Sequence, residues 1–237
     1  MNDMRENNQE AQLVVVKHPG PPLVMVGSIF AALFVASLGL SLAIAKGTPF
    51  PSPFQLEELS LAYFTANGVA VRTSAFLQFC ASVPLGIFTA TVVSRLRFLG
   101  VNVAGTTIAL YGGFLASFWM GASALAQWVL SEPGIAASPA VVRAFHVLAF
   151  LTGGPGYAVG IGLLIAGVAV SAGLHGLLSR TLMVMGLVVA SLAELSALSL
   201  VLPAAAYLLP LARFPAFVWL IRTGSALPKG RAVSSNA

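Results

Sequence analysis

Charged residues are scarce in this sequence. Lysine, arginine, aspartate and glutamate make up 8% of its 237 residues, whereas hydrophobic residues make up 58%, and the mean hydropathy is +0.92. A water-soluble domain carries about 25% charged residues, because polar groups must cover much of its exterior. The scarcity excludes an ordinary soluble domain and indicates a protein whose solvent is the lipid bilayer.

The residues and motifs of cofactor chemistry are scarce as well. Cys80 is the single cysteine, so no disulfide can form within the chain. The sequence has no HExxH, GxSxG or GxxxxGK pattern and no paired-carboxylate constellation of the kind that acid–base catalysis uses. Bis-histidine haem needs two histidines at one depth, and His18 and His175 lie outside the apolar segments. We therefore predict no cofactor, no metal site and no catalytic residue, although a membrane hydrolase built from scattered residues stays open.

The net charge of +5 comes without any run of basic residues. Lysine and arginine occur singly near the ends of apolar segments, which predicts membrane orientation rather than binding to nucleic acid. Eight of them fall in the termini and in the loops on the same side, and four fall on the other side. The excess predicts that both termini are cytoplasmic.

What the sequence does contain is apolar segments of membrane-spanning length. A helix needs roughly 20 apolar residues to cross the hydrocarbon core, where an open backbone cannot be hydrated. We predict an all-α, polytopic membrane helix bundle over residues 21–228, with polar cytoplasmic tails at 1–20 and 229–237. The six predicted transmembrane helices cover residues 22–45, 73–94, 101–130, 139–172, 181–202 and 211–227.

The longest connection predicts one further helix, over about residues 53–65. Ser52 can cap it, with Pro53 at the first helical position and Gln55 closing a capping box. The apolar residues that follow fall on one face. This pattern is typical of a short helix that lies at the outer membrane interface.

Three arginines recur at a nearly constant spacing. Arg72, Arg143 and Arg213 each precede an Ala-Phe pair at the predicted outer end of a span, 71 and 70 residues apart. The spacing is consistent with three parallel repeats of a helix pair. Two interpretations stay open: the side chains reach outward to lipid headgroups, or they form a ring of cations that gathers an anionic solute.

One acidic residue and one histidine lie inside predicted spans. Glu194 is the single acidic residue within a span, and a carboxylate there should face the bundle interior. His146 is placed at a similar depth, on the order of 10 Å below the outer boundary. The pair is therefore a candidate proton or cation site, while two neutral, hydrogen-bonded side chains are the alternative.

A glycine and proline cluster interrupts the fourth span. Pro155 cannot donate a backbone hydrogen bond and disfavours helical geometry at Gly154, so the stretch "FLTGGPGYAVGIG" predicts a kink or an unwound turn within one continuous crossing. Freed backbone groups there, with Tyr157 beside them, could line a solute or ion site. The alternative is close helix packing at a Gly156-to-Gly160 step.

The runs "FLTGGPGYAVGIGLLIAGVAVSAGL" and "AELSALSLVLPAAAYLLPLARFPAFVWLIRTGSALP" resemble a family of small bacterial six-helix membrane proteins known as a domain of unknown function. The likeness covers roughly residues 70–228. It implies six helices and a bacterial inner-membrane location, and it carries no activity. Arg222 departs from the pattern, which has a small or apolar residue there.

Two functions follow from these features. The first is a small transporter or channel with a site at the broken fourth helix, formed by Glu194, His146, Gly154, Pro155 and Tyr157. The second is a non-catalytic membrane subunit or assembly partner. The predicted partners are the lipid bilayer and either a second copy of the chain or a membrane partner subunit, without nucleic acid.

Overall fold

The computed structural model describes residues 13–234. Within that range six helical segments are long and apolar enough to cross a membrane, which confirms the predicted all-α membrane bundle. We number them first to sixth in chain order. They cover Leu23–Ile44, Gly68–Phe98, Ala104–Leu130, Pro139–Leu174, Arg180–Leu200 and Pro203–Ala226.

The later spans are composite. The fourth joins two α-helices through a π-helical turn, the fifth ends in a 3-10 turn, and the sixth begins with one. The α-helices are α1 (Leu23–Ile44), α2 (Glu57–Ala66), α3 (Gly68–Phe98), α4 (Ala104–Leu130), α5 (Pro139–Leu151), α6 (Tyr157–Leu174), α7 (Arg180–Leu195) and α8 (Leu208–Ala226); the π turn is Thr152–Gly156, and the 3-10 turns are Ile135–Ala137, Ser196–Leu200 and Pro203–Tyr207.

Glycine and proline set the ends of several spans. Gly100 and Gly176 adopt positive φ angles of 91° and 68°, and the next amide in each case bonds a carbonyl five residues back. This is the Schellman ending, which favours glycine because it has no Cβ. Leu202 is extended because proline follows it, and this separates the fifth span from the sixth.

The spans pack in chain order, and the first also packs against the sixth, so the bundle is a closed ring. The fourth span is the most deeply buried of the six. Its Gly160 lies against the third span so closely that an added Cβ would come within 2.5 Å of the Ala116 backbone nitrogen. Small residues permit such approach between membrane helices, where packing rather than hydrophobic burial drives association.

The helix on the loop between the first two spans differs from the prediction. It begins at Glu57 rather than near residue 53, and no side chain caps it. Ser52 instead accepts the backbone N–H of Phe54 at 3.3 Å, and its carbonyl accepts the N–H of Gln55. Ser52 therefore closes a turn ahead of the helix, so the predicted capping box is wrong.

Both chain ends meet in a two-stranded antiparallel sheet, β1 (Leu13–Lys17) and β2 (Gly230–Ser234). Both strands fall in segments predicted as polar tails; residues 1–12 and 235–237 of those tails lie outside the described range. The pairing puts both ends on one side of the bundle, which we call the terminal face. The opposite side, which carries α2, is the distal face.

His18 fastens the strand pair to the second span. Its Nδ1 accepts the Gly20 N–H at 3.1 Å, and its Nε2 lies 3.1 Å from the Ser94 hydroxyl. Its ring also packs edge-on against Phe98. Burial, and after it the neighbouring Arg95 guanidinium, lower the pKa of His18 from its ordinary value of 6.5. The neutral imidazole is the form that makes both hydrogen bonds.

We expect acidification to loosen this strand pair. Because folding lowers the pKa of His18, the contribution of this residue to stability is complete above pH about 6.5 and declines as the pH falls below that value. Hydrogen-exchange protection factors of the β1 and β2 amides should be lower at pH about 5 than at pH about 7.5. A His18→Asn variant should lose this dependence; equal protection at both pH values in the unmodified protein would contradict the prediction.

Candidate functional site

A cavity of about 230 Å³ lies among the first, second, third, fourth and sixth spans. Segment 50–53, which follows the first span, lies over it on the distal side. Among the described residues 13–234, no aspartate or glutamate lines the cavity. Its polar lining residues are Ser41, Ser74, Gln78, Ser123, Gln127, His146, Tyr157 and Arg213.

The break in the fourth span forms one wall of the cavity. Thr152–Gly156 form a π-helical turn, in which the Tyr157 N–H bonds the Thr152 carbonyl five residues back. Pro155 explains the wider turn, since it has no N–H to offer the preceding turn. The span crosses once without unwinding, so the predicted continuous crossing is confirmed and the irregularity is a helical one.

The glycines of this turn serve packing and cavity lining together. A Cβ on Gly153 would collide with the Ser123 hydroxyl of the third span, and a Cβ on Gly154 would lie 3.2 Å from Leu209 of the sixth. Gly156 lies against the Trp119 side chain. Gly153 and Gly154 also line the cavity. The close packing predicted at this turn is therefore present, and the predicted solute or ion site stays a prediction.

Arg213 reaches this turn from the sixth span. Its guanidinium donates a hydrogen bond to the Gly153 carbonyl, while its Nε is buried without a hydrogen-bond partner. The cation also lies 5.1 Å from the ring centre of Phe34 and 4.7 Å from that of Tyr157. Carbonyl and ring contacts hold the charge in place without neutralising it. Among residues 13–234, Arg213 forms no ion pair.

Tyr157 stands beside Arg213 at the base of the cavity. It is almost completely buried, and its hydroxyl has no hydrogen-bond partner among the described residues. A buried hydroxyl without a partner is costly. Tyr157 lines the cavity, and its hydroxyl is a polar group whose hydrogen-bonding capacity is unused among the described residues.

Two glutamines face each other on another wall. The Gln127 amide donates to the Gln78 carbonyl oxygen at 3.1 Å, and Gln78 donates to the Ser74 hydroxyl at 3.1 Å. Ser123 donates to the Ala149 carbonyl of the fourth span at 2.8 Å. We call Ser74, Gln78, Ser123 and Gln127 the amide cluster. It lines the cavity with adjustable donors and acceptors.

His146 is buried under the segment that covers the cavity. Its Nε2 donates to the Pro51 carbonyl at 3.1 Å, and its ring packs edge-on against Phe50 and Phe64. These contacts fix the imidazole as an Nε2–H donor. His146 thus anchors segment 50–53 and borders the cavity.

Glu194 lies elsewhere. Its side chain is exposed on the outside of the bundle, next to Gly162, and it does not line the cavity. The expectation that it faces the bundle interior is wrong, because the buried face of α7 is formed by small and β-branched residues such as Ala190, Ala193 and Val189. The structure therefore does not join Glu194 to His146 in one site.

The three spaced arginines also separate. Arg72 pairs with Glu132 at 2.6 Å, and Arg143 pairs with Glu57 at 3.5 Å. Both side chains are largely exposed, at 49% and 62%, whereas Arg213 reaches the cavity. The structure does not form a ring of three equivalent cations. Only Arg213 fits the second interpretation, that of a cation placed to meet an anionic solute.

Sequence reasoning missed the amide cluster. Gln78 and Gln127 are the two glutamines that lie inside spans, and an amide in hydrocarbon seeks a hydrogen-bonding partner on a neighbouring helix. That signal was present in "FLQFC" and "ALAQWVL". It could have predicted contact between the second and third spans.

No family model, no curated protein and no solved structure matches this chain. The resemblance to small bacterial six-helix membrane proteins stays a prediction. Functional inference therefore depends on the geometry of the cavity.

Proposed function

We propose that this chain is a multi-pass membrane protein that binds a small anion in the cavity beside its broken fourth span, as a small transporter, channel or solute-binding protein. The observation that carries the proposal is Arg213, a guanidinium in a carboxylate-free cavity. A cation inside a membrane bundle is costly unless an opposite charge approaches it. An anion in the cavity would supply that charge.

The remaining donors favour an oxygen-bearing anion. The Tyr157 hydroxyl has no partner, and the amide cluster offers N–H and O–H groups that can turn toward a ligand. Charge-assisted hydrogen bonds to a guanidinium suit a carboxylate or an inorganic oxyanion. The volume of about 230 Å³ is below the usual range for drug-sized ligands. We therefore propose a small carboxylate or oxyanion as solute.

The orientation completes the proposal. With both termini in the cytoplasm of a bacterial inner membrane, segment 50–53 lies on the outer side of the cavity. This segment borders the cavity on that side, and His146 holds it through Pro51. The excess of lysine and arginine on the terminal side supports this orientation.

Ligand-dependent stability tests the proposal directly. We expect purified protein to show saturable thermal stabilisation by at least one of acetate, succinate, phosphate and sulfate, with a dissociation constant of about 1 mM or lower. The matched sodium salts of different anions should differ, while sodium, potassium and choline chloride should not. Competition between two stabilising anions would indicate a shared site.

Uptake of the stabilising anion into proteoliposomes then separates transport from binding. Flux above that of protein-free liposomes indicates a transporter or channel, and binding without flux indicates a solute-binding protein. If no anion stabilises the protein, the proposal is wrong.

A second function is favoured by Glu194. An exposed carboxyl group in a membrane span is costly in lipid, and a neighbouring subunit that supplies a donor would remove that cost. The exposed Glu194 carboxyl group thus favours a chain that is a non-catalytic membrane subunit or part of a homo-oligomer. Absence of anion stabilisation, together with an assembly larger than one chain in native mass spectrometry, would favour this function over the first.

A further inference from the structure

A second concave surface lies between the fifth and sixth spans and opens outward, away from the anion cavity. It is a groove of about 1070 Å³. Met185, Phe214 and Val218 line it and remain 50%, 45% and 58% exposed. A groove with such walls, on the side of a membrane bundle, faces the acyl chains of lipids.

The polar residues of this groove are confined to one end. Ser179 and Thr181 stand at the start of α7, and Arg222 and Ser225 stand at the end of α8, so all four lie toward the terminal face. Phe214 is eight residues from Arg222, which corresponds to about 12 Å along a helix. The groove therefore runs from the membrane interface through most of one leaflet, which is about 15 Å thick.

Arg222 gives the polar end a positive charge. Its side chain is exposed, and it forms no ion pair with any residue from 13 to 234. The lining residues include three hydroxyl groups but neither aspartate nor glutamate among the described residues. Arg222 is also the position at which this sequence departs from the pattern that it otherwise resembles.

We propose that this groove binds an anionic phospholipid of the leaflet on the terminal side, with an acyl chain along Phe214, Val218 and Met185 and the headgroup phosphate at Arg222. The positive, hydroxyl-bearing end of the groove matches the anionic headgroup of such a lipid. The apolar part, which is about as long as one leaflet is thick, matches the acyl chain. A transmembrane helix of another protein would bring no phosphate to Arg222. The proposal is independent of the anion cavity.

Native mass spectrometry tests this lipid-binding proposal. The full chain is measured with equimolar phosphatidylglycerol and phosphatidylcholine of matched chain length. We expect about a fivefold preference for phosphatidylglycerol, the factor that one interfacial arginine provides. Arg222→Gln should bring the two lipids to near-equal binding, and Arg222→Lys should keep the preference. Arg97→Gln, an exposed arginine at the terminal end of the second span and outside this groove, should also keep it.

A groove-filling substitution tests the apolar half. Val218→Trp should reduce bound phosphatidylglycerol and phosphatidylcholine alike, provided that the variant stays monodisperse; Met185→Trp is the second choice. The proposal would be overturned if the unmodified protein bound the two lipids equally. It would also be overturned if Arg97→Gln lost the preference as well. A second copy or another protein held at the groove in place of lipid would overturn it too.

Discussion

Replacing Arg213 with glutamine is expected to weaken anion binding in the cavity about 100-fold. Arg213 supplies the permanent positive charge of the cavity, and its guanidinium is already oriented by Gly153, Phe34 and Tyr157. A hydrogen bond to a charged partner is worth about 1.5 to 3 kcal/mol, and glutamine keeps a donor without the charge. Titration of the stabilising anion by calorimetry or by thermal shift measures the change.

Two matched variants show whether charge or position is responsible. Arg213→Lys keeps the charge but loses the planar donor fork. Its affinity for the anion should therefore lie between that of the Arg213→Gln variant and that of the unmodified protein. Arg143→Gln should leave binding unchanged, because Arg143 is exposed and pairs with Glu57. An Arg213→Gln protein that melts like the unmodified protein and binds the anion equally well would remove Arg213 from the site.

Replacing Gly160 with alanine is expected to destabilise the bundle by about 3 kcal/mol or more, at the upper end of the cost of overpacking. The added Cβ would lie 2.5 Å from the Ala116 nitrogen, 2.8 Å from its Cα and 2.9 Å from the Gly112 carbonyl oxygen. All three are backbone atoms, so no side-chain rotation relieves the clash. The fourth span would have to move away from the third, and the melting temperature in detergent would drop.

Gly39 provides the control on the first span. It also lies within a helix, yet an added Cβ there meets no atom within 4 Å. Gly39→Ala should be neutral or slightly stabilising, because alanine exceeds glycine in helix propensity by up to about 1 kcal/mol. Equal melting temperatures for the two variants would mean that the crossing at Gly160 is looser than the structure shows.

The spans were predictable because they follow from length and apolarity alone. The first, at 22–45, is Leu23–Ile44 in the structure, and the fourth, at 139–172, is Pro139–Leu174. The second is longer at both ends than predicted, because the predicted span stops at Arg72 and Arg95 whereas the helix continues past both arginines. The sixth begins at Pro203 and not at residue 211 as predicted, because a 3-10 turn from Pro203 leads into its α-helix.

The candidate site was only partly predictable, because depth in the membrane does not give the direction of a side chain. Arg213 and Glu194 each lie inside a span; the sequence left two interpretations open for the arginine and placed the glutamate in the interior. In the structure Arg213 meets Gly153, whereas Glu194 is exposed. A helix turns by about 100° per residue, so which side faces the bundle depends on neighbours that one sequence does not identify.

The break and its neighbours show what local chemistry can predict. Pro155 required an irregularity at one point of the fourth span, and the π turn is there. Tyr157 and His146 line the same cavity, as their sequence positions suggested. The amide cluster depends on contacts 49 and 53 residues apart in the chain; the two glutamines could have indicated contact between the second and third spans, but not which side chains pair.

The paired strands at the chain ends have a consequence for synthesis. About 210 residues separate β1 from β2, so at 5 to 20 residues per second the first strand waits about 10 to 40 s for its partner. Throughout that interval its edge is unpaired, a state that favours pairing with other chains. The ring of spans likewise stays open until the last helix leaves the ribosome. Closure of the ring therefore waits for the sixth span, and the interval before it is when the nascent chain most needs protection.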